Sequence, residues 1–362
     1  QKTAYEISTR DWSSDVCSSD LGRHHDNPGI VRMDAVILVG GFGTRLRPLT
    51  LSVPKPLLPV GNVPIVERII ASLERAGVSR AVLALGFKPE PFLAAFPDGR
   101  CGGVRLEYAV EPEPLDTAGA IAFAARHAGI DSTFVVANGD ILTGLDVRRV
   151  IDFHRASGAE GTIHLTPVDD PSQFGVVETS GDGRVVRFVE KPKPGESSSR
   201  NVNAGTYVLE PSVIERVPLG AKVSIERVVF PAMVESGSLY AVATSDAWVD
   251  TGRPETFLAA NMSVVGDNGA SIIDTTATVG TGAVIDRSVV GARASIGAGA
   301  RIIGSVIFPG ATVGDGARVE AGLVMGRIGE DAHAVDVVVG VDGAVDARDS
   351  VSGLKIPAPE GS

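Results

Sequence analysis

Apolar runs alternate with segments of helical spacing through the first half of the chain. Residues 35–39 and 81–85 are wholly apolar, which is typical of strands buried on both faces. After Pro64, apolar residues recur every four positions and Gly77 closes the run, as in a half-exposed helix. The pattern predicts strands at 35–39, 81–85, 104–108 and 133–137 and helices at 64–76, 120–128 and 147–156.

This order of strands and helices predicts an α/β fold with a mostly parallel, Rossmann-like sheet and helices on both of its faces. Ligands of such sheets lie at the carboxyl ends of the strands. Candidate chemistry is therefore expected in the loops after 35–39 and 133–137.

A different pattern begins near residue 265. The sequence then repeats every 17 residues, so that Val279, Ile296 and Val313, each followed by glycine, occupy equivalent positions. Apolar residues within a repeat are spaced by about six, six and five, which predicts a left-handed parallel β-helix with three short strands per coil.

The change of pattern divides the chain into an α/β domain, 33–262, and a β-helix domain, 263–362. Residues 1–32 have no helical or strand period and no apolar core of a secretory signal. They are expected to be a disordered or non-native leader, similar to translated adapter sequence, with Met33 as the true start.

Composition narrows the possible functions. The 362 residues carry 33 basic and 44 acidic side chains, a net charge of −11, which argues against nucleic acid as a partner. No apolar run reaches the ~18 residues that span a bilayer, so no membrane partner is expected. Two cysteines exclude a disulfide framework and favour a reducing, cytoplasmic location.

The loop after the first strand is a candidate anion site, which we call the phosphate loop. It reads GGFGTRLRPLT at 40–50 and is followed by PKP at 54–56. Its glycines allow backbone N–H groups to approach an anion. No acidic residue lies between Asp34 and Glu67, and this stretch holds three basic ones, Arg45, Arg47 and Lys55. The loop matches neither the dinucleotide-binding nor the Walker pattern.

This motif resembles the signature of the sugar-phosphate nucleotidyltransferases, which couple a nucleoside triphosphate to a sugar 1-phosphate and release pyrophosphate. The resemblance covers about 34–260 and continues into the tail. It implies that Arg45, Lys55 and Lys191 are catalytic. It implies nucleotide contacts from Leu38, Gly40, Gly41, Gly43, Thr44, Arg45, Lys55 and Gly119.

Two aspartates are candidate metal ligands. Asp140 follows the strand 133–137 in an Asn-Gly-Asp sequence, where a carboxylate suits Mg²⁺ but also suits a turn or helix cap. Asp250 lies in Trp-Val-Asp-Thr-Gly, which by itself is typical of a structural turn. The resemblance implies that both hold Mg²⁺, the family's cofactor.

On the sugar-phosphate side, the resemblance rests on QFGVV at 173–177, VEKP at 189–192 and NAGTY at 203–207. It implies that Lys191 meets the phosphate of the sugar and that the sugar itself is contacted by Gly175, Glu190 and Asn203. The family's loop EPLGTAG has Asp116 in this chain in place of its first glycine, which leaves the backbone shape of that loop open.

The segment SIERVVFP at 224–231 resembles that of the mannose-1-phosphate guanylyltransferases, which implies GTP and mannose 1-phosphate as substrates. Glucose 1-phosphate with dTTP, UTP or ATP is the alternative pair. A non-catalytic regulatory homologue is a second alternative, but the charged residues named above are all present.

A hexapeptide acyltransferase needs a histidine within the coils, and His333 lies past the clear repeats. The repeats also predict a homo-oligomer.

Overall fold

The computed structural model describes residues 33–86, 89–193, 195–266 and 270–358. The predicted leader, 1–32, lies outside the described residues. The described chain forms two compact units, the first from 33–41 and 66–248 and the second from 42–65 and 249–358. The division predicted between 262 and 263 stays a prediction.

Strands and helices alternate along the chain before the repeats. The strands are β1 Met33–Leu38, β2 Pro59–Val60, β3 Val63–Pro64, β4 Val78–Leu85, β5 Arg100–Cys101, β6 Val104–Val110, β7 Phe134–Asn138, β8 Ile141–Thr143, β9 Gly161–Pro167, β10 Gly175–Thr179, β11 Val185–Glu190, β12 Asn201–Leu209, β13 Leu239–Ala243 and β14 Trp248–Asp250. The helices are α1 Ile65–Arg75, α2 Glu90–Ala95, α3 Asp116–His127, α4 Val147–Ser157, α5 Ser212–Glu215, α6 Phe230–Glu235 and α7 Pro254–Val265.

The first unit is built on one mixed sheet with the strand order β11-β10-β12-β7-β1-β4-β6-β5, extended by β9 on β12 and β13 on β9. Its centre, β7-β1-β4-β6, is parallel throughout, which confirms the sheet expected from the strand–helix alternation. Most strands of the later half join in antiparallel fashion, β12 on β7 and β9, and β10 between β12 and β11, while β13 runs parallel to β9.

The core of this sheet follows from its apolar runs. Ala35, Val36 and Ile37 of β1 have no exposed surface, because β4 and β7 flank the strand within the sheet and the faces to which its side chains point are covered, one of them by α3. Helix α3 contacts β1, β4 and β6 through small side chains, among which Ala124 and Ala125 are fully buried. It begins at Asp116, four residues before the helix predicted at 120–128.

The second unit contains the β-helix, which confirms the fold expected from the repeats. Its strands are β15 Ile272–Ile273, β16 Thr278–Val279, β17 Val284–Asp286, β18 Val289–Val290, β19 Ser295–Ile296, β20 Arg301–Ile303, β21 Val306–Ile307, β22 Thr312–Val313, β23 Arg318–Glu320, β24 Leu323–Val324, β25 Arg327–Ile328, β26 His333–Val335, β27 Val338–Val339, β28 Ala344–Val345, β29 Ser350–Ser352 and β30 Lys355–Ile356. They form three parallel sheets, one from every third strand.

The spacing of the coils departs once from 17 residues. Val306 pairs with Leu323, 17 residues further on, but Leu323 pairs with Val338, only 15 further on. The corner between β24 and β25 accounts for the difference, because it consists of Met325 and Gly326 alone. A Cβ on Gly326 would collide with backbone oxygens of the next coil, so this short corner requires glycine.

No helix within the described ranges is long and apolar enough to cross a membrane.

Candidate active site

The carboxyl ends of β1 and β7 are held together by their backbones. The N–H of Gly139, directly after β7, donates to the carbonyl of Leu38 at 2.9 Å. A Cβ on Gly139 would lie 2.6 Å from that same oxygen, so only glycine allows this approach. The candidate metal ligand Asp140 is the next residue, which places it at the edge where parallel sheets bind ligands.

The start of the phosphate loop passes equally close to the neighbouring strand. A Cβ on Gly40 would lie 2.8 Å from the amide nitrogen of Gly86, the residue after β4. Beside it lies Glu111, a buried carboxyl group that no sequence motif indicated. The Leu115 N–H donates to Glu111 Oε2 at 2.9 Å, but burial dominates and raises the pKa of this carboxyl above its usual range.

In the second unit the phosphate loop continues as tight turns. Gly43 has φ +57°, and its carbonyl accepts the hydroxyl of Thr50 at 2.8 Å. Three 3₁₀ turns follow, at Thr44–Leu46, Leu49–Leu51 and Lys55–Leu57. This backbone leaves Thr44 and Arg45 exposed, as residues that are to contact a polyphosphate must be.

Lys55 and Asp250 are brought together within the second unit, although 195 positions separate them along the chain. The Lys55 ammonium lies 3.7 Å from Asp250 Oδ1, with exposed side-chain fractions of 7% and 32%. Asp250 Oδ1 also accepts the N–H of Gly252 at 2.8 Å. A lysine buried to this degree needs a compensating charge, because an unpaired buried cation is costly.

On the sugar-phosphate side of the first unit, Gly175 lies opposite Glu190 in the β10–β11 hairpin. A Cβ on Gly175 would lie 2.6 Å from the ring of Phe188 and 3.0 Å from Glu190 Oε2. Because Gly175 has no side chain, the Glu190 carboxylate has room to lie beside it. Lys191 follows with φ +53° and is exposed, its N–H donating to the carbonyl of Phe174.

Asn203 lies at an irregularity of β12, where the register with β9 shifts before Tyr207. Its Oδ1 accepts the N–H of Gly205 and its Nδ2 donates to the hydroxyl of Tyr207, each at 3.0 Å. Gly205 has φ +78°, and a Cβ there would lie 2.7 Å from the side-chain amide of Asn138. The bulge thus brings β12 against the carboxyl end of β7.

Glu226 is a further site candidate, which the sequence alone did not place in the site. Its Oε2 accepts the hydroxyls of Thr117 and Ser224, each at 2.7 Å, and Thr117 in turn accepts the N–H of Ile225. These bonds join the first turn of α3 to the 224–231 segment. Burial, and then the nearby charge of Glu226, raise the pKa of the Glu190 carboxyl, so the two carboxylates share one neighbourhood. The only signal in the sequence is the Ser-Ile-Glu motif, which by itself indicates substrate specificity.

Gly119 lies so close to the backbone of Ala221 and Val223 that a side chain would not fit. It lies in the first turns of α3, where its N–H donates to the carbonyl of Val223 at 3.1 Å. A Cβ there would lie 2.6 Å from the carbonyl oxygen of Ala221. Its contact with a nucleotide stays a prediction, as do the substrate contacts of the other site residues.

The structure gives the backbone conformation of Asp116, which stands where the family's loop has glycine. It has φ +61°, the left-handed conformation that glycine adopts most easily, and its Oδ1 accepts the N–H of Thr117 at 2.8 Å. Aspartate tolerates this region better than most residues because its short side chain bonds locally.

Asp116→Ala should lower the free energy of unfolding by about 1 kcal/mol, because alanine keeps the strain of the left-handed backbone and loses the side-chain bond. Asp116→Gly should be nearly neutral, since relief of strain offsets the larger entropy of the unfolded chain. Chemical denaturation of both variants measures the difference. The control is Asp131→Ala at another exposed aspartate. An equal loss of unfolding free energy at both sites would contradict the role assigned to the left-handed backbone of Asp116.

The described residues contain no group of three or more His, Cys, Asp and Glu side chains that could enclose a metal. Mg²⁺ is normally bound through one or two carboxylates together with substrate phosphates and water rather than by a complete protein cage. Carboxylate oxygens such as those of Asp140 and Asp250 are the hard ligands that this ion prefers. The donor chemistry of the two aspartates therefore fits Mg²⁺.

A family model for nucleotidyl transferases matches residues 34–266, and a second, described as GlmU-like, C-terminal hexapeptide, matches residues 253–352. The first match covers more than half of the chain. The chain therefore belongs to the nucleotidyl transferase family and carries a hexapeptide-repeat domain.

Similar proteins include the mannose-1-phosphate guanylyltransferase of Mycobacterium tuberculosis, which is 40% identical over 266 residues, 70% of this chain and 73% of the relative. The mannose-1-phosphate guanyltransferase of Aspergillus fumigatus is 44% identical over 230 residues, so this chain spans 62% of its length, and the match covers 62% of this chain. Among solved structures, HddC from Yersinia pseudotuberculosis, also known in complex with GMP-PN, superposes with a TM-score of 0.55 at 30% identity, over 63% of this chain and 98% of HddC.

Proposed function

We propose that the chain transfers a nucleotidyl group from GTP to mannose 1-phosphate, forming GDP-mannose and pyrophosphate. The observation that carries this choice of substrates is the 40–44% identity, over 266 and 230 residues, to relatives named as mannose-1-phosphate guanylyltransferase and guanyltransferase. The segment at 224–231 supports it, since Glu226 in that segment shares a neighbourhood with Glu190.

In the proposed reaction, a phosphate oxygen of the sugar 1-phosphate attacks the α-phosphorus of the triphosphate in line. The bond from that phosphorus to the oxygen bridging to the β-phosphate breaks, and pyrophosphate leaves with the electron pair. A phosphate monoester is already ionised near neutral pH, so no general base is required. Catalysis then depends on positioning and charge stabilisation.

Each cation has a proposed task in this reaction. Arg45, exposed on the phosphate loop, binds the triphosphate and stabilises charge at the α-phosphorus, for which a forked guanidinium is suited. Lys55 contributes a buried positive charge beside the same loop. Lys191, exposed after β11, orients the attacking phosphate, while Glu190 and Asn203 hydrogen-bond the sugar. The proposed ligands of Mg²⁺ are Asp140 and Asp250, and the ion would neutralise charge on the phosphates.

Pyrophosphate release by the purified chain tests the proposal. GTP, dTTP, UTP and ATP are each combined with mannose 1-phosphate and with glucose 1-phosphate in the presence of Mg²⁺. The highest kcat/KM is expected for GTP with mannose 1-phosphate. A preference for another pair would reassign the substrates, and no release with any pair would favour a non-catalytic homologue.

Two further properties belong to the proposal. A homo-oligomer that forms through the β-helix is expected, and analytical ultracentrifugation would detect it. A cytoplasmic location agrees with Cys101, a buried thiol without a disulfide, whose pKa burial raises to about 12.

A further inference from the structure

The last coils of the β-helix contact the phosphate loop, and both belong to the second unit. The Lys355 ammonium donates to the backbone carbonyl of Arg45 at 2.8 Å, although 310 positions separate the two residues. At the corner after β27, a Cβ on Gly340 would lie 2.8 Å from Cβ of Pro48. The β-helix backbone therefore packs directly against the proline ring of the loop.

The chain after the loop follows the same side of the β-helix. The Asn62 side-chain amide donates to the carbonyl of Val290 at 2.9 Å. Val290, Gly340 and Lys355 lie in, or directly after, β18, β27 and β30, which are strands of a single sheet. One sheet of the β-helix thus supports the segment from Arg45 to Asn62 near both of its ends.

The bond from Lys355 completes a turn that is otherwise open. In the 3₁₀ turn Thr44–Leu46, the carbonyls of Gly43 and Thr44 accept the N–H groups of Leu46 and Arg47. The carbonyl of Arg45 is the next in this turn, and the residue three positions further on, Pro48, has no N–H to donate to it. A lysine side chain is a favourable partner at such an end, because it both donates a hydrogen bond and complements the negative end of the turn.

We infer that the β-helix is part of the scaffold of the nucleotide site and that Lys355 is a positioning residue for Arg45. Fixing the carbonyl of Arg45 fixes the peptide from which its guanidinium extends toward a phosphate. The kinetic part of this inference rests on the proposed function. The tail then has a role in the reaction that is separate from any role in assembly.

Lys355→Met tests the inference in the full-length chain, because it keeps an apolar stem of similar length and removes the donor. Hydrogen exchange of amides 42–51 should become several-fold faster, since the turn opens more often. The KM for GTP should rise about fivefold, the effect of losing a favourable cation at a helical end, and the KM for mannose 1-phosphate should not change. Lys355→Arg keeps a donor and should therefore stay close to the wild-type exchange rate and the wild-type KM for GTP.

Arg301→Met is the matched control, since it removes one positive charge from an exposed position of β20 in the same β-helix. It should change neither exchange in the loop nor either KM. Gly340→Ala provides a second test that leaves the charge unchanged, because its methyl group would displace Pro48. Faster exchange in this variant would support the packing even if Lys355→Met failed to fold.

Unchanged exchange of 42–51 in both Lys355→Met and Gly340→Ala would overturn the inference. So would an equal rise of both KM values, because a general loss of structure would cause that. If the wild-type chain released no pyrophosphate, the proposed function would fail, while the exchange measurements would still decide whether the β-helix holds the loop.

Discussion

Asp140→Asn is expected to lower turnover by about 10²- to 10³-fold while the protein stays folded, the size of effect typical for loss of one well-placed charge at a reacting centre. Asparagine matches aspartate in shape but carries no charge, so it is a poor ligand for Mg²⁺. Asp140 follows Gly139, whose N–H is bonded to the carbonyl of Leu38, and this backbone contact does not depend on the carboxylate. Pyrophosphate release and the melting temperature measure the two expectations.

Asp131→Asn is the matched control. This aspartate is exposed and precedes β7, whereas Asp140 follows the same strand, so the control removes an equal charge from the opposite end. It should retain wild-type turnover. Near-normal activity of Asp140→Asn at saturating Mg²⁺ would refute the assignment of this residue to the metal.

Lys191→Ala should lower kcat/KM for mannose 1-phosphate by about 10²-fold, through a higher KM, a lower kcat or both, because the attacking phosphate would lose the cation that orients it. The KM for GTP should change little. The left-handed backbone at Lys191 is no worse for alanine than for lysine, so the effect should come from the side chain. Steady-state kinetics with each substrate varied in turn separates these constants.

Lys193→Ala provides the comparison for this variant. Lys193 is also exposed and lies two residues further along the same segment, so its loss changes the local charge by the same amount. We expect it to leave both KM values as they are. A rise confined to the KM for GTP in Lys191→Ala would mean that the two substrates bind in the reverse arrangement.

Local patterns predicted much of the fold. The apolar runs at 35–39, 81–85 and 133–137 became adjacent parallel strands, because strands buried on both faces have no polar positions. The 17-residue repeat predicted the β-helix, because each coil repeats its apolar contacts. The antiparallel pairing of β12 with β7 did not follow, since it joins distant segments of the chain. The 15-residue coil did not follow from the 17-residue repeat, because its corner between β24 and β25 is two residues shorter.

Some features of the candidate site were likewise indicated by local motifs, and others were not. Glycine-rich and charged motifs, through the resemblance, indicated the phosphate loop, Lys55 and Asp250 as candidates, but not the ion pair between Lys55 and Asp250. The bonds of Glu226 to Thr117 and of Lys355 to Arg45 join residues 109 and 310 positions apart, and neither pair has a local signature. Asp116 shows the reverse case, in which an unexpected residue keeps the expected backbone conformation.

The two-residue corner at Met325 and Gly326 determines where the β-helix can accept changes in length. Added residues there would have to push past backbone oxygens of the following coil. At Gly299 and Gly310, by contrast, an added side-chain carbon would meet nothing within 4 Å, so those corners have room on their outer side. Peptide tags or surface epitopes inserted into this protein therefore belong at Gly299 or Gly310, and the corner at Gly326 should keep its natural length.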